Sequence, residues 1–592
     1  MDQPQLSAST RSRFLAGSLV LIWLVLAGRL VQLQWWERES LSQRGEDQRS
    51  FLETITPRPG DILDRQGRVL ATSVNVKSVY VIPSKIADAE SISRDFATAL
   101  QIPHEELLAR LQQHLDKHFM WIKRRLTDEE TERIRQLELP PGVWGFRDEY
   151  LRRYPQKTLA AHVIGLRDID GIGRGGLEES CDKHVKGEAG SRSLVRDAHG
   201  HVIEVQETVE QAPQHGRTVV TTIDTVVQLY AEQALDQVMT EWKPKGCCAI
   251  VMDPQTFEIW GMASRPTFDV NRPDLIPEEA WNNAALTVIY EPGSTFKPMV
   301  VAWGLQTEAI RRDESFDCEM GEYRMGRRTL HDHHRYGVLS LVDVLVNSSN
   351  IGMAKIGEKM TNPELYRACA AFGMGRKTGV ELPGELPGLL RPLKEWTSYS
   401  TGSIPMGQEL GTTPMQMIAA HSALANGGNL MNPRLVLADI KPGVRWTPNV
   451  GLPVEQGMRI SSQVVDEEIA RWIVEYPMFE TVQRGTGRKA KLKDYSVFGK
   501  TGTAQKFDFK TGKYSTEKHV SSFICGAPVH NPRLLVLVVV DEPSVGKDHY
   551  GGVIAAPAAR EILHRSLIYL HVPVEEVPLR SAEGGVDFGV EL

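Results

Sequence analysis

Glu291-Pro292-Gly293-Ser294-Thr295-Phe296-Lys297 is the stretch on which the reading of this chain turns. A serine hydroxyl is a poor nucleophile until a neighbouring group takes its proton. Residues three apart on a helix share a face, which predicts Lys297 beside the hydroxyl of Ser294. Pro292 and Gly293 predict a sharp turn, and the apolar run Met299-Val300-Val301-Ala302-Trp303 predicts a buried helix after it. Two more elements follow in order. Ser348-Ser349-Asn350 precedes the helical run Ile351–Met360, and Lys500-Thr501-Gly502-Thr503 continues a strand-like Tyr495–Phe498.

Each short motif recurs by chance in this chain. Ser-x-x-Lys is also found at Ser180, Ser515 and Ser544, Ser-x-Asn at Ser73, and Lys-Thr-Gly at Lys377 and Lys510. Context separates them. Ser180 precedes the polar Asp182-Lys183-His184, Ser544 lies in a Pro-Ser-Val-Gly loop, and Lys377 and Lys510 lie in polar, glycine-bearing turns. Only Ser294 precedes an apolar helix, and only Lys500 continues a strand.

The chemistry of the set is coherent. Ser294 attacks a peptide carbonyl, and Lys297 serves as base if burial and a second cation, Lys500, depress its pKa. Ser348 is placed to pass a proton to a departing amine, and Asn350 to hold a substrate amide. A strand at Lys500–Thr503 can pair with an extended peptide, and Gly502 leaves room where substrate lies close. The hydroxyls of Thr501 and Thr503, with the Lys500 charge, suit a terminal carboxylate. The backbone N–H groups of Ser294 and Thr503 are the expected oxyanion donors.

Composition sets the bounds. The chain has 592 residues, 41% hydrophobic and 24% charged, with a formal net charge of −7, so neither disorder nor a nucleic-acid footprint is implied. Residues 14–36 read as a membrane anchor, since about 20 apolar residues span a bilayer. Arg29 near its far end can snorkel, Trp35-Trp36 suit the interface, and Arg11 and Arg13 favour a cytoplasmic N-terminus. No small-residue cleavage site follows, so a retained anchor is favoured over a signal peptide. The six cysteines (Cys181, Cys247, Cys248, Cys318, Cys369 and Cys525) show no disulfide scaffold and read as buried thiols. Cys318, His331, His333 and His334 make a weak metal candidate with irregular spacing.

The division along the chain reads as follows. A cytoplasmic tail over 1–13 and the anchor precede an extended α+β pedestal over 37–215, and 216–245 forms a linker and helix. The catalytic domain covers 246–570 and a tail covers 571–592. The pedestal is expected to hold a strand at Val76–Ile82 and helices at Ser91–Leu100, Glu105–Leu115 and Asp128–Leu137. In the catalytic domain a hairpin over Ala249–Pro254 and Glu258–Ala263 marks a sheet edge. Helices dominate from about 294 to 430. Strands return at Tyr495–Phe498, Ser521–Cys525 and Leu534–Val540, and a helix at Ala555–Leu570 closes the domain. Strands at both ends with helices between predict one antiparallel sheet covered by helices.

The ordered trio is the signature of penicillin-binding proteins and serine β-lactamases. The resemblance reaches further and is to the class B penicillin-binding proteins. Gly28-Arg29-Leu30-Val31-Gln32-Leu33-Gln34 is similar to that family's membrane segment. Pro57 to Gly67 is similar to the start of its pedestal, with Pro59-Gly60 where Arg-Gly is usual. Trp121-Ile122-Lys123-Arg124, Arg153-Tyr154-Pro155, Gly176-Leu177-Glu178, Met406-Gly407-Gln408-Glu409, Ala425-Asn426-Gly427-Gly428 and Gly485-Thr486-Gly487 fit as well. Residues from about 14 to 570 are covered.

The resemblance implies a D,D-transpeptidase that cross-links peptidoglycan, with Ser294 attacking a D-Ala-D-Ala bond and β-lactams acylating the same serine. It implies no metal or organic cofactor, a site outside the cytoplasmic membrane, and a polytopic SEDS-type glycosyltransferase among its partners. Ser348-Ser349-Asn350 leans toward the division or sporulation type. The alternatives are a membrane-anchored serine β-lactamase, a β-lactam sensor, and a degenerate scaffold of a cell-wall synthase complex. No Glu-x-x-Leu-Asn element supports the first, a single span opposes the second, and the intact motif residues oppose the third.

Overall fold

The computed structural model describes residues 8–42, 50–196, 202–448, 461–508, 513–546 and 549–575. At the N-terminus a helix over Ala8–Val31 continues as a π-turn over Gln32–Trp36. Its apolar side chains point outward along the whole length, as a helix surrounded by lipid requires. Arg29 meets Glu37 at 3.7 Å. The residues beyond Leu41-Ser42, up to Gln48, and those of the tail beyond Glu575 lie outside the described residues.

The chain forms two compact units that are not consecutive in sequence. One comprises Met1–Arg58, Val74–Leu151 and Gly187–His215, and the other Pro59–Ser73, Arg152–Lys186 and Gly216–Leu592. In the first unit, helices over Ala89–Leu100, His104–Gln112 and Asp128–Arg135 pack on strand residues around Val79–Val81 and Met120–Lys123. Phe96, Leu107, Leu111 and Ile134 are sealed between them. The helix starts have local causes. Asp88 accepts from the N–H groups of Glu90 and Ser91, and Thr127 with Glu130 forms a capping box. The strand expected at Val76–Ile82 is longer, running Val69–Val81. A separate antiparallel sheet joins Ser50–Ile55, Gly190–Arg196 and Val202–Gln211.

The second unit joins early segments to the part of the chain that carries the Ser294, Ser348 and Lys500 motifs. Ile62-Leu63 pairs in parallel with Val219-Val220. Glu178, fully buried, accepts from Arg152 at 2.6 Å and Arg167 at 2.7 Å, with Tyr154 as a third donor at 3.2 Å. Removing that carboxylate would leave the buried Arg152 guanidinium with no carboxylate partner among the described residues, whereas Arg167 would keep Asp182 at 2.8 Å. The buried arginine is Arg152; its neighbour Arg153, in the stretch singled out from sequence, is exposed.

One five-stranded antiparallel sheet organises this unit. Its strands are β1 (Gly246–Met252), β2 (Ile259–Arg265), β3 (Phe498–Asp508), β4 (Lys513–Ala527) and β5 (Leu534–Asp541), in the order β2-β1-β5-β4-β3. The expected hairpin is β1-β2, and β2 is an edge. β3 begins at Phe498, so Tyr495–Val497 is not strand as the β-rich run suggested. Tyr495 is instead fixed by donating its hydroxyl to the Val572 carbonyl.

Both faces of the sheet are covered, which is why β5 reads as an unbroken apolar run rather than an alternating one. Leu534, Val536, Val538 and Val540 face helices α1 (Thr225–Trp242) and α5 (Gly551–Tyr569). Leu535, Leu537 and Val539 face the opposite layer, built on α2 (Lys297–Gln306), α3 (Asn350–Ala371) and α4 (Pro414–Ala425). Each such side chain contributes roughly 1.5–3 kcal/mol by leaving water. Residues 216–245, read as a linker and helix, supply a strand over Thr218–Thr221 and α1, whose Val227, Ala231 and Leu235 are buried. Among the described residues all six cysteines are free and buried.

Candidate active site

The nucleophile candidate is carried by a single 3-10 turn, Gly293–Phe296, that runs directly into α2. In a 3-10 turn residues i and i+3 eclipse, which stacks Lys297 over Ser294. Gly293 has φ +55° and its N–H donates to the Gly407 carbonyl at 3.1 Å. A Cβ on Gly407, whose φ is +76°, would stand 2.1 Å from the Gly293 carbonyl oxygen. The turn is therefore clamped from behind by backbone alone. On the other side runs β3, the sheet's second edge, whose outer hydrogen-bonding groups have no strand beside them among the described residues.

Gly502 supplies that close approach. Its missing Cβ would lie 2.3 Å from Ser522 Oγ, 2.9 Å from Thr295 Cγ2 and 3.1 Å from the Pro292 carbonyl oxygen. The sequence reading assigned this glycine to substrate clearance; the fold adds a requirement of its own, docking of the nucleophile turn on β3. Thr501 Oγ1 pairs with Thr486 Oγ1 at 2.8 Å, and Thr503 Oγ1 accepts from the Gly551 N–H at 3.1 Å. Both hydroxyls are thus held against the N-terminal end of α5 and its neighbouring turn.

Four of the expected side chains meet in one hydrogen-bonded group. Lys297 Nζ donates to the Ser348 carbonyl at 2.7 Å, to Asn350 Oδ1 at 2.9 Å, to Ser348 Oγ at 3.2 Å and to the Ser349 carbonyl at 3.3 Å. Lys500 Nζ lies 2.9 Å from the same Ser348 Oγ. Both amines are fully buried. A hydroxyl between two amines can accept from one and, when the other is neutral, donate to it, an arrangement that suits the proton transfer expected of Ser348. The Ser294 hydroxyl, half-buried, makes no hydrogen bond to a described residue. Catalytic contacts of this kind commonly tighten only with substrate in place.

The electrostatics favour a base. Burial pushes Lys297 down to about 7, while the Asp332 carboxylate holds it up. Lys500 is driven well below its usual value, by burial first and then by Lys297. Burial is thus the main cause for both amines, and the second cation expected to depress Lys297 is itself the one depressed by it.

Two features of this group are invisible in the motifs. Ser348 has φ +58°, a left-handed conformation that costs a non-glycine residue on the order of 1 kcal/mol or more. Asp332 organises the start of α3. Its carboxylate accepts from Ser349 Oγ at 2.6 Å and from the N–H groups of Asn350 and Ile351. The histidine-rich stretch considered for metal has other tasks. The His331 carbonyl accepts from Asn350 Nδ2 at 3.2 Å, and the His333 ring packs edge-on against Tyr550. No group of three or more ligating side chains suited to a metal ion is found among the described residues.

Asp332→Asn should separate capping from charge. With neutral Lys297 as the expected base, acylation should rise with pH through about 7. Asp332 favours the protonated amine; without its charge that rise should move to lower pH. Stability should fall by about 1 kcal/mol as the helix start weakens. Acylation rates measured from pH 5 to pH 9 would show it, and an unmoved limb would exclude Asp332 from tuning Lys297.

Two of the decoy motifs have local settings of their own. Thr378 and Gly379 of Lys377-Thr378-Gly379 wrap the carboxylate of Glu385 through their N–H groups and the Thr378 hydroxyl. Ser180 ends the short helix Gly176–Ser180. Lys510-Thr511-Gly512 lies outside the described residues.

Comparisons with known proteins agree with this arrangement. Residues 247–564 match the penicillin binding protein transpeptidase domain, and residues 54–221 match the penicillin-binding protein dimerisation domain. The chain is 34% identical to stage V sporulation protein D of Bacillus subtilis, over 93% of this chain and 84% of that protein. It is 31% identical to the peptidoglycan D,D-transpeptidase FtsI of Escherichia coli, over 94% of this chain and 91% of the relative. The structure of penicillin binding protein 3 from Mycobacterium tuberculosis complexed with aztreonam superposes with a TM-score of 0.68 at 26% identity, covering 88% of this chain and 98% of that one. A dimerisation domain followed by a transpeptidase domain, with curated relatives matched along nearly the whole chain, places this protein among the class B penicillin-binding proteins.

Proposed function

We propose that this chain is a serine-type peptidoglycan D,D-transpeptidase, a target of β-lactams, of the division or sporulation type. The observation that carries the reading is the Ser348 hydroxyl held between two buried amines, of which Lys297 follows Ser294 by one turn and Lys500 lies on the edge strand β3. Ser294 attacks the carbonyl between the last two D-Ala residues of a donor stem peptide while neutral Lys297 takes its proton. Ser348, bridged to Lys500, returns a proton to the departing D-Ala amine. The Ser294 and Thr503 N–H groups stabilise the oxyanion, a contribution of about 3 kcal/mol per donor in comparable sites. Asn350 retains an amide hydrogen for the substrate. Lys500, with the Thr501–Thr503 strand, receives the terminal carboxylate. The amine of a second stem peptide then resolves the acyl-enzyme.

The N-terminal apolar helix anchors the protein in the cytoplasmic membrane, with Arg11 and Arg13 on the cytoplasmic side and the catalytic unit outside. A polytopic SEDS-type glycosyltransferase that supplies the glycan strands is the partner that this placement suits. The test uses the full chain in detergent with a peptide ending in D-Ala-D-Ala and an added D-amino acid as acceptor. Release of D-Ala matched by incorporation of the acceptor is the expected result. Release to water alone would make the protein a hydrolase, and absence of release alongside failure to bind penicillin would make it a scaffold.

A further inference from the structure

Helix α4 touches the nucleophile turn, and every one of its residues is buried. A capping box of Thr413 and Gln416 fixes its start. Two neighbours along it reach in different directions. Ser422 Oγ donates to Met252 Sδ on β1 at 3.2 Å, and His421 Nε2 lies 2.9 Å from the Thr295 carbonyl oxygen. His421 is the one titratable residue of this helix.

The carbonyl that His421 meets has no other donor among the described residues. Phe296 is the N-cap of α2, so the first helical hydrogen bond is accepted by the Phe296 carbonyl. The Ser294 carbonyl accepts from the Lys297 N–H. Between them, the Thr295 carbonyl would need the N–H of residue 298 to extend the 3-10 turn, and Pro298 has none. Thr295 is fully buried, so bulk water is no substitute.

The imidazole is neutral at pH 7. Burial pushes it down to about 4, against the pull of the Thr295 carbonyl, and Lys500 lowers it further. A carbonyl oxygen only accepts, so Nε2 carries the single ring proton. Nδ1 is then an acceptor, buried and with no hydrogen-bond partner among the described residues. An apolar ring of similar size would avoid the cost of that unmatched nitrogen. It would also lose the donor to Thr295.

Resting on Ser294 as the nucleophile, we propose that His421 is a positioning residue for the reaction: its Nε2–H ties the Thr295 carbonyl to α4 and so sets where the Ser294 hydroxyl stands against Lys297. The other holds on the turn lie elsewhere. Gly407 fixes Gly293, and Thr295 Oγ1 closes back on the Pro292 carbonyl at 2.7 Å. Without the His421 tether the peptide unit between Thr295 and Phe296 is free to rotate, which loosens the stacking of Ser294 under Lys297. His421 is itself 1% exposed and acts through the turn, without touching substrate.

The test resolves penicillin acylation of the full chain into the affinity of the first complex and the rate at which the adduct forms from it, with active protein counted by its label. His421→Phe keeps a ring and removes the donor. His421→Asn offers an amide too short to reach. In His421→Gln the amide nitrogen stands the same number of bonds from Cα as Nε2 does and can donate to Thr295. The adduct-forming rate should fall by about 10- to 100-fold in His421→Phe and His421→Asn, the scale of a displacement of about 1 Å, with the first affinity unchanged. His421→Gln should recover most of that loss, and its rise with pH through about 7 should stay in place, because that limb belongs to Lys297. If His421→Phe does not fold, the comparison of Asn with Gln is the same test between two polar side chains. Equal adduct-forming rates in the variants, or a loss confined to the melting temperature and the fraction of protein that labels, would overturn the inference and leave the Ser294 reading standing. A displaced pH rise in His421→Gln would place the action of His421 on the charge of the amines, and would overturn positioning as well. Wild-type protein that never labels would overturn both.

Discussion

Lys297→Ala should lose penicillin acylation by about 10²–10⁴-fold, the range that a positioned general base contributes. The loss should come without unfolding. Lys297 is a fully buried amine that gives hydrogen bonds to the Ser348 and Ser349 carbonyls and to Asn350 Oδ1. Removing it strands those acceptors, but it also removes the desolvation penalty of the amine and its repulsion of Lys500. The two effects oppose each other in stability and act together on the rate. The far-ultraviolet circular dichroism and melting temperature should therefore stay close to wild type while the second-order acylation constant collapses. Normal labelling of this variant would remove Lys297 from the proton path.

Gly407→Ala should be nearly as damaging for a purely steric reason. The new Cβ would meet three backbone atoms of Gly293, at 2.1, 2.7 and 2.7 Å, from a residue already at φ +76°. No side chain can rotate away, so the turn itself must move, and Ser294 is the next residue in it. A displacement near 1 Å at a reacting atom costs about 10²-fold in rate. Forced left-handed backbone adds on the order of 1–3 kcal/mol of destabilisation. Acylation should fall by about two orders of magnitude, with a lowered melting temperature. Unchanged acylation kinetics would mean that the turn is not clamped by Gly407.

The contrast between these two residues shows what the sequence could and could not convey. Lys297 was legible because a short-range repeat, an apolar helix and two ordered partners all pointed at it. The sheet was legible for a similar reason: β1 and β5 carry unbroken apolar runs, as strands covered on both faces do. Asp332 was not legible. Its signal is one carboxylate among histidines, and its partners, the N–H groups of Asn350 and Ile351, come together only through the tertiary fold. The left-handed Ser348 leaves no trace in composition. Glu291 stood in the opening motif with no role, because nothing in a sequence reveals which carboxylate oxygen will be buried without a donor. Local β-propensity also misled at Tyr495–Val497, where a hydroxyl contact to Val572 replaces strand pairing. Helical and strand periods survive translation from sequence; caps, strained residues and unmatched charges depend on which distant segments meet.

The central claim is that Ser294 forms a slowly hydrolysed acyl-enzyme with a D-Ala-D-Ala mimic. Labelling the purified protein with fluorescent penicillin, removing excess reagent and following the bound label over hours tests it most directly. A stoichiometric adduct that persists, and that is absent from Ser294→Ala, is the predicted result. Rapid loss of label with turnover of free penicillin, or equal labelling of Ser294→Ala, would contradict it.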